Sequence, residues 1–88
     1  MLSPEAEARL ESIYLYIAVD ASPEFARRYT EAIARKCGGL ATFPRRGTPR
    51  DDLGRDVRTL AFRGRATIAY SIEPGEVTIL GIYHAGLD

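Results

Sequence analysis

The tripeptide Ser-Pro-Glu occurs twice, at residues 3–5 and 22–24, and each copy opens a stretch with helical spacing. Both copies carry the same chemistry. A serine hydroxyl accepts from the free amides of a first turn, proline suits the first helical position, and a carboxylate there meets the positive end of the helix dipole. After the first copy, Ala6, Leu10, Ile13 and Ile17 make one stripe of a helix. Tyr14, Leu15, Tyr16 and Val19 widen the apolar surface past that stripe, so this helix should touch something besides its own core. After the second copy, Phe25, Tyr29, Ile33, Cys37 and Leu40 make another stripe. Gly38-Gly39 weakens its end and Pro44 stops it. Only Asp20-Ala21 lie between, so the sequence predicts an antiparallel helical hairpin. The likeness of the two starts reflects shared capping chemistry and not a structural repeat.

The remaining chain must pack on that hairpin. Residues 44–56 are Pro, Gly and charge and read as a long loop, a length that often carries function. Three strands follow. Val57 to Phe62 is rich in β-forming residues, and Arg63-Gly64-Arg65 is a turn. Ala66 to Ile72 alternates, with Ile68, Tyr70 and Ile72 on one face and Thr67, Ala69 and Ser71 on the other. Glu73-Pro74-Gly75-Glu76 is a tight turn. Val77 to Tyr83 is apolar on both faces, with Val77, Ile79 and Tyr83 on one and Leu80 and Ile82 on the other. Helices followed by strands predict an α+β domain, the hairpin lying on one face of a small antiparallel sheet. The other face has no helix to cover it. The 88 residues leave room for a single domain, 1–88. Such a chain buries only about 60–65% of its unfolded surface and should be marginally stable.

Charge narrows the function. Twelve basic side chains balance twelve acidic ones, which excludes nucleic-acid binding by bulk charge alone. The balance is not local. Residues 37–65 hold seven arginines (45, 46, 50, 55, 58, 63, 65) against three aspartates, whereas residues 66–88 hold three acids and no base. Arginine suits bidentate contacts to carboxylate or phosphate, so the cluster points to an anionic partner. The single cysteine, Cys37, cannot form an internal disulfide or a Cys-rich zinc site. Its place on the apolar stripe predicts a buried, inert thiol, and a reducing cytoplasm fits best. No apolar run approaches the ~18 residues of a membrane span, and with Ser3-Pro4-Glu5 coming at once no signal peptide is expected.

There is no Gly-rich phosphate loop, nucleophile elbow or metal-ligand spacing, so neither cofactor nor metal is expected. Asp51-Asp52 sits beside arginines and reads as salt partners, not as an acid–base pair. His84 follows the last strand. It is either a base or phosphate ligand, with Arg58 and Arg65 near it if the strands pair antiparallel, or a strand-end imidazole bonded to a local carbonyl.

The segments LSPEAEARLESIYLYIA, SPEFARRYTEAIARKCGGLATFPRRGT and VRTLAFRGRATIAYSI, then VTILGIYHAGLD, together resemble the ParE branch of the ParE/RelE superfamily. These are toxins of bacterial type II toxin–antitoxin modules, and the resemblance runs from Leu2 to Asp88. Its most specific parts are Leu2-Ser3-Pro4, Pro44 with Gly47, Arg58, Tyr70, and His84 with Asp88. The resemblance implies a small antitoxin that lays a helix and an extended segment along an apolar groove. It also implies a target: the ParE branch poisons DNA gyrase, whereas the RelE branch cuts mRNA on the ribosome. RelE-like ribonucleases carry basic residues on the middle and last strands and often a tyrosine near the end. The comparable positions here are Thr67 and Ile82, and Ala85 follows His84.

That favours a gyrase-directed toxin acting by binding, without catalytic residues of its own. The alternatives are a ribosome-dependent endoribonuclease, with His84 and Arg65 as its candidates, or an inactive relative that only binds antitoxin. On the favoured reading Arg58, Arg63, Arg65 and His84 contact the target. The antitoxin covers Ile13, Tyr14 and Ile17, in a heterotetramer or larger complex. The resemblance further implies a strand before the first helix. Only Met1-Leu2 precede Ser3, so that strand is expected to be truncated and the sheet edge exposed.

Overall fold

In the computed structural model, which describes residues 1–87, both Ser-Pro-Glu signals start helices. Helix α1 spans Pro4–Asp20, and the Ser3 hydroxyl accepts from the Ala6 amide at 3.1 Å. Helix α2 spans Pro23–Gly39, and the Ser22 hydroxyl accepts from the Phe25 amide at 3.1 Å. Each such cap stabilises its helix by about 1 kcal/mol. A short 3₁₀ turn, Pro44–Arg46, leads to strand β1 (Thr48–Pro49). Strands β2 (Val57–Phe62), β3 (Ala66–Glu73) and β4 (Glu76–His84) follow. The four form one antiparallel sheet in the order β1-β2-β3-β4. The domain is therefore α+β, as the order of helical and alternating patterns requires.

The segment read as a plain loop contains β1, where Thr48 pairs with Thr59 and Pro49 with Arg58. A proline is tolerated there because β1 is the outermost strand and needs no second ladder bond. Side chains from α1 (Ile13, Ile17), α2 (Ala26, Tyr29, Ile33) and the sheet (Phe62, Ile68, Tyr70, Ile79, Ile82) form one core. Full burial of each large apolar side chain contributes roughly 1.5–3 kcal/mol.

Strand β4 departs from simple alternation. Tyr70 pairs with Ile79 but Ala69 pairs with Gly81, which leaves Leu80 as a bulge. The extra residue shifts the phase of every side chain after it. Ile79 and Ile82 therefore share the core face, His84 joins them, and Tyr83 turns outward at 49% exposure. The assignment of Tyr83 to the face of Val77 and Ile79 is corrected on this point. The sheet face away from the helices carries Val57, Thr59, Ala61, Thr67, Ala69, Ser71, Thr78 and Tyr83. Of these, Val57, Ala69 and Ser71 are buried, and Ala61 and Tyr83 are exposed.

The N-terminal residues do pair with the sheet. Leu2 bridges Ile79 in the parallel sense. The Ile79 amide donates to the Met1 carbonyl at 2.7 Å, and the Ser3 amide donates to the Ile79 carbonyl at 3.0 Å. The Met1 ammonium donates to the Val77 carbonyl at 2.7 Å, and the Ser3 hydroxyl to the Leu80 carbonyl at 3.1 Å. Residues 1–3 thus form a stub that covers the β4 edge from Val77 to Leu80.

Candidate functional site

Two sequence signals converge where α1 ends, α2 begins and the β2–β3 turn comes round. The turn is the first. Arg63 and Gly64 both have positive φ, 52° and 71°, and the Arg65 amide donates to the Phe62 carbonyl at 3.1 Å. That is a type I′ hairpin turn, whose twist matches the flanking strands. It projects Arg63 and Arg65 beyond the sheet. The second signal is the strand end. Ala66 pairs with His84, so the imidazole comes to lie beside the turn.

His84 is only 7% exposed, and both ring nitrogens are engaged. Nδ1 lies 2.9 Å from the Ala85 carbonyl, and Nε2 lies 3.2 Å from the Tyr29 hydroxyl. A carbonyl only accepts, so Nδ1 carries the proton. In the neutral ring Nε2 then accepts from Tyr29. Burial pushes the Tyr29 phenol above its ordinary range, while Arg65 and Arg63 pull it the other way. Tyr29 therefore keeps its proton at neutral pH and can donate. Of the two readings of His84, the imidazole bonded to a local carbonyl matches this geometry. The ring is packed edge-to-face against Tyr29 at 5.5 Å and Tyr16 at 6.1 Å.

A cleft of about 290 Å³ opens here, lined by Tyr16, Phe25, Tyr29, Arg65, His84 and, as its one acid among the described residues, Asp20. A second cleft of about 390 Å³ adjoins it through the shared Phe25 and Tyr29, and adds Arg28, Arg35 and Arg63. Sequence reasoning missed Tyr16, Phe25 and Tyr29 as a lining. In the sequence Phe25 and Tyr29 show only as members of the helical stripe of α2; in the structure their rings stack at 6.2 Å.

Arg63, Arg65 and His84 are thus brought together, and Arg58 is not among them. Arg58 lies in β2 opposite Tyr70. Its guanidinium donates to the Gly47 carbonyl at 2.7 Å and the Arg45 carbonyl at 3.2 Å. The buried Tyr70 hydroxyl accepts from the Gly47 amide at 2.9 Å and donates to the Pro44 carbonyl at 2.7 Å. A Cβ on Gly47 would stand 2.5 Å from that hydroxyl and 2.8 Å from the Thr59 carbonyl oxygen. Pro44, Gly47, Arg58 and Tyr70 therefore form one clasp that fixes the loop after α2.

The helix-face residues are placed differently from expectation. Ile13 and Ile17 lie inside the core and Tyr14 is half-buried against it. A partner laid along α1 would meet Leu15, Tyr16 and Val19, the last of these 88% exposed. Thr67 lies on the uncovered sheet face and Ile82 is fully buried in the core. Cys37 is buried, and loss of solvent pushes its thiol up to about 11. It lies eight residues along α2 from Tyr29, about 12 Å of helix from the partner of His84. Asp52 takes a two-pronged bond from Arg50, at 2.9 and 2.8 Å, which holds its carboxyl below the usual range. Asp88 lies outside the described residues. Among the described residues no helix is long and apolar enough to cross a membrane, and no cluster of three metal-ligating side chains occurs.

Comparison with known proteins agrees with this fold. The sequence profile of a family described as ParE toxin of type II toxin-antitoxin system, parDE, matches residues 1–88. A comparison with curated protein sequences finds no match. Among solved structures, one similar chain comes from the chromosomal ParDE TA system of P. aeruginosa. It is 25% identical, superposes with a TM-score of 0.81, and the alignment covers 94% of this chain and 90% of that one.

Proposed function

Because this chain belongs to the ParE toxin family of type II toxin–antitoxin systems, we propose that it inhibits DNA gyrase and is neutralised by a cognate antitoxin. The observation that carries the reading is the end-to-end match, supported by the likeness to a chain of a ParDE system. On this reading Arg63, Arg65 and the His84 segment meet the target. They sit together on one projecting end of the sheet, and two guanidinium groups there can take carboxylates of a protein surface. Arg58 acts from behind, by holding the loop after α2 in shape. The antitoxin covers the outer face of α1, around Leu15, Tyr16 and Val19. Its extended segment continues along β4 past the stub that ends at Leu80.

A toxin that acts by binding needs no proton-transfer pair. The engaged, buried His84 supports that over a ribonuclease role, because a general base must reach its substrate's proton. The test is a gyrase supercoiling assay with the purified chain, with and without the antitoxin encoded beside it. The expected result is inhibition that the antitoxin relieves. Uninhibited gyrase in the presence of a chain shown by circular dichroism to be folded would remove the gyrase reading.

A further inference from the structure

The two adjoining clefts contain more cationic and aromatic surface than a contact through Arg63 and Arg65 requires. Arg28 and Arg35 are seven residues apart on α2, so they lie on one face about 10.5 Å apart along the axis. Ala32 lies between them and keeps the floor of the groove low. Arg63 approaches from the β2–β3 turn, its guanidinium 4.9 Å from the Phe62 ring. Glu31, the one acid lining this groove among the described residues, is bonded to Arg27 at 3.3 Å. At the junction of the clefts Phe25 and Tyr29 lie nearly parallel, 19° between planes, and Phe25 remains 47% exposed. Tyr29 is held in turn edge-to-face by Phe62 at 5.7 Å and by His84. The result is a rigid aromatic step with one ring open, rimmed by three arginines.

We propose that this paired cleft binds a single nucleic-acid strand, with phosphates on Arg28, Arg35 and Arg63 and one base on the open face of Phe25. Cations along a groove beside an exposed ring are the chemistry of single-strand binding. A duplex keeps its bases stacked on each other and leaves Phe25 unused. A peptide of acidic residues alone would use the arginines but brings no aromatic face to the ring. The chain contains neither Asn nor Gln, so the amide pairing that reads adenine is absent and the contact is expected to tolerate sequence. Zero net charge does not oppose this, because the arginines are local. The inference goes beyond gyrase inhibition and is measured without gyrase.

The experiment is fluorescence anisotropy of a fluorescein-labelled oligothymidine with the purified full chain, over a range of salt. Binding is expected, with log K falling against log salt at a slope of about −2, as three neutralised phosphates on a single strand give. Arg28→Glu and Arg63→Glu should each weaken it by about tenfold or more and flatten the slope. Phe25→Ala should weaken it by about tenfold with the slope unchanged, because stacking releases no counterion. Arg55→Glu makes the same charge change outside the clefts and should have little effect. The proposal is overturned if a folded chain does not bind, or if Arg55→Glu weakens binding as much as Arg28→Glu. It is equally overturned if Phe25→Ala changes nothing, or if polyglutamate displaces the oligonucleotide at equal charge. A chain inert toward gyrase can still pass this test, and a gyrase inhibitor can fail it, so the two readings stand or fall separately.

Discussion

Arg63 occupies a backbone position that an arginine does not favour. Its φ of 52° lies in the left-handed region, where an L side chain costs roughly 1–2 kcal/mol. Asparagine tolerates that region, and Asn-Gly is the preferred pair for a type I′ turn. Arg63→Asn should therefore leave stability unchanged or raise it by up to about 1 kcal/mol, after loss of the exposed contact with Phe62. If the guanidinium serves the target, the same variant should inhibit gyrase less. Urea midpoints at constant m-value, read beside a supercoiling titration, check both halves. A variant that loses stability and keeps full inhibition would make Arg63 a structural residue.

Cys37 gives a second residue-scale expectation. Its thiol titrates at 9.0 in the free state and about 11 in the fold. Below pH 9 both states hold the proton. Between those values the unfolded chain releases it and the folded chain does not, so the unfolded state binds fewer protons and stability falls as pH rises. Tyr29, also raised, adds to the upper part of that fall. Cys37→Ala should make the decline shallower from pH 9 to 11, whatever packing it loses at neutral pH. The measurement is the urea midpoint against pH for both chains, and parallel slopes would show that the thiol does not contribute.

At the scale of elements, the clasp explains why a loop after α2 can be a fixed part of the fold. Tyr70→Phe leaves the Gly47 amide and the Pro44 carbonyl without their partner, a loss of about 1–3 kcal/mol. Gly47→Ala drives a Cβ against the Tyr70 hydroxyl and the Thr59 carbonyl, and overpacking of this kind costs about 1–3 kcal/mol. Because Tyr70 and Arg58 hold the same four-residue segment, removing both should cost less than the two losses added, by more than about 0.5 kcal/mol. Chemical unfolding of the two single variants and the double checks this, and strict additivity would show two independent anchors.

The same elements show what was legible beforehand. Each helix start was written in a local signal, Ser-Pro-Glu, which acts within one turn. The faces of β3 were written in strict alternation. The bulge at Leu80 was not, because two adjacent apolar residues suit either phase and only the pairing with Ala69 and Tyr70 decides. The clasp was visible only as four separately distinctive residues, since contacts across 11 to 26 positions of sequence leave no periodicity. The aromatic lining beside His84 was hidden for a different reason. Phe25 and Tyr29 satisfied the helical stripe, so nothing in the pattern asked for a second use of them.

For the whole molecule, the surfaces proposed for gyrase and for the antitoxin adjoin at Tyr16, which lines the cleft with Arg65 and His84. The arginines and His84 lie at the end of the sheet beside the helix junction, whereas the apolar excess lies along the outer face of α1. Val19 is the clearest marker of that excess. A side chain 88% exposed contributes little to folding, and substitutions at such positions stay within about 0.5 kcal/mol. Val19→Asp should therefore leave the unfolding midpoint unchanged. If the antitoxin covers α1, the same change places a charge in a desolvated apolar contact and should weaken antitoxin binding by about tenfold or more, as about 1.4 kcal/mol or more requires. Gyrase inhibition by the free variant should persist, and a given dose of antitoxin should relieve less of it. Calorimetric titration with the antitoxin, run beside the supercoiling assay, separates these effects. Unchanged antitoxin affinity would move its site off α1 and onto the β4 edge past Leu80, which no residue of the N-terminal stub covers.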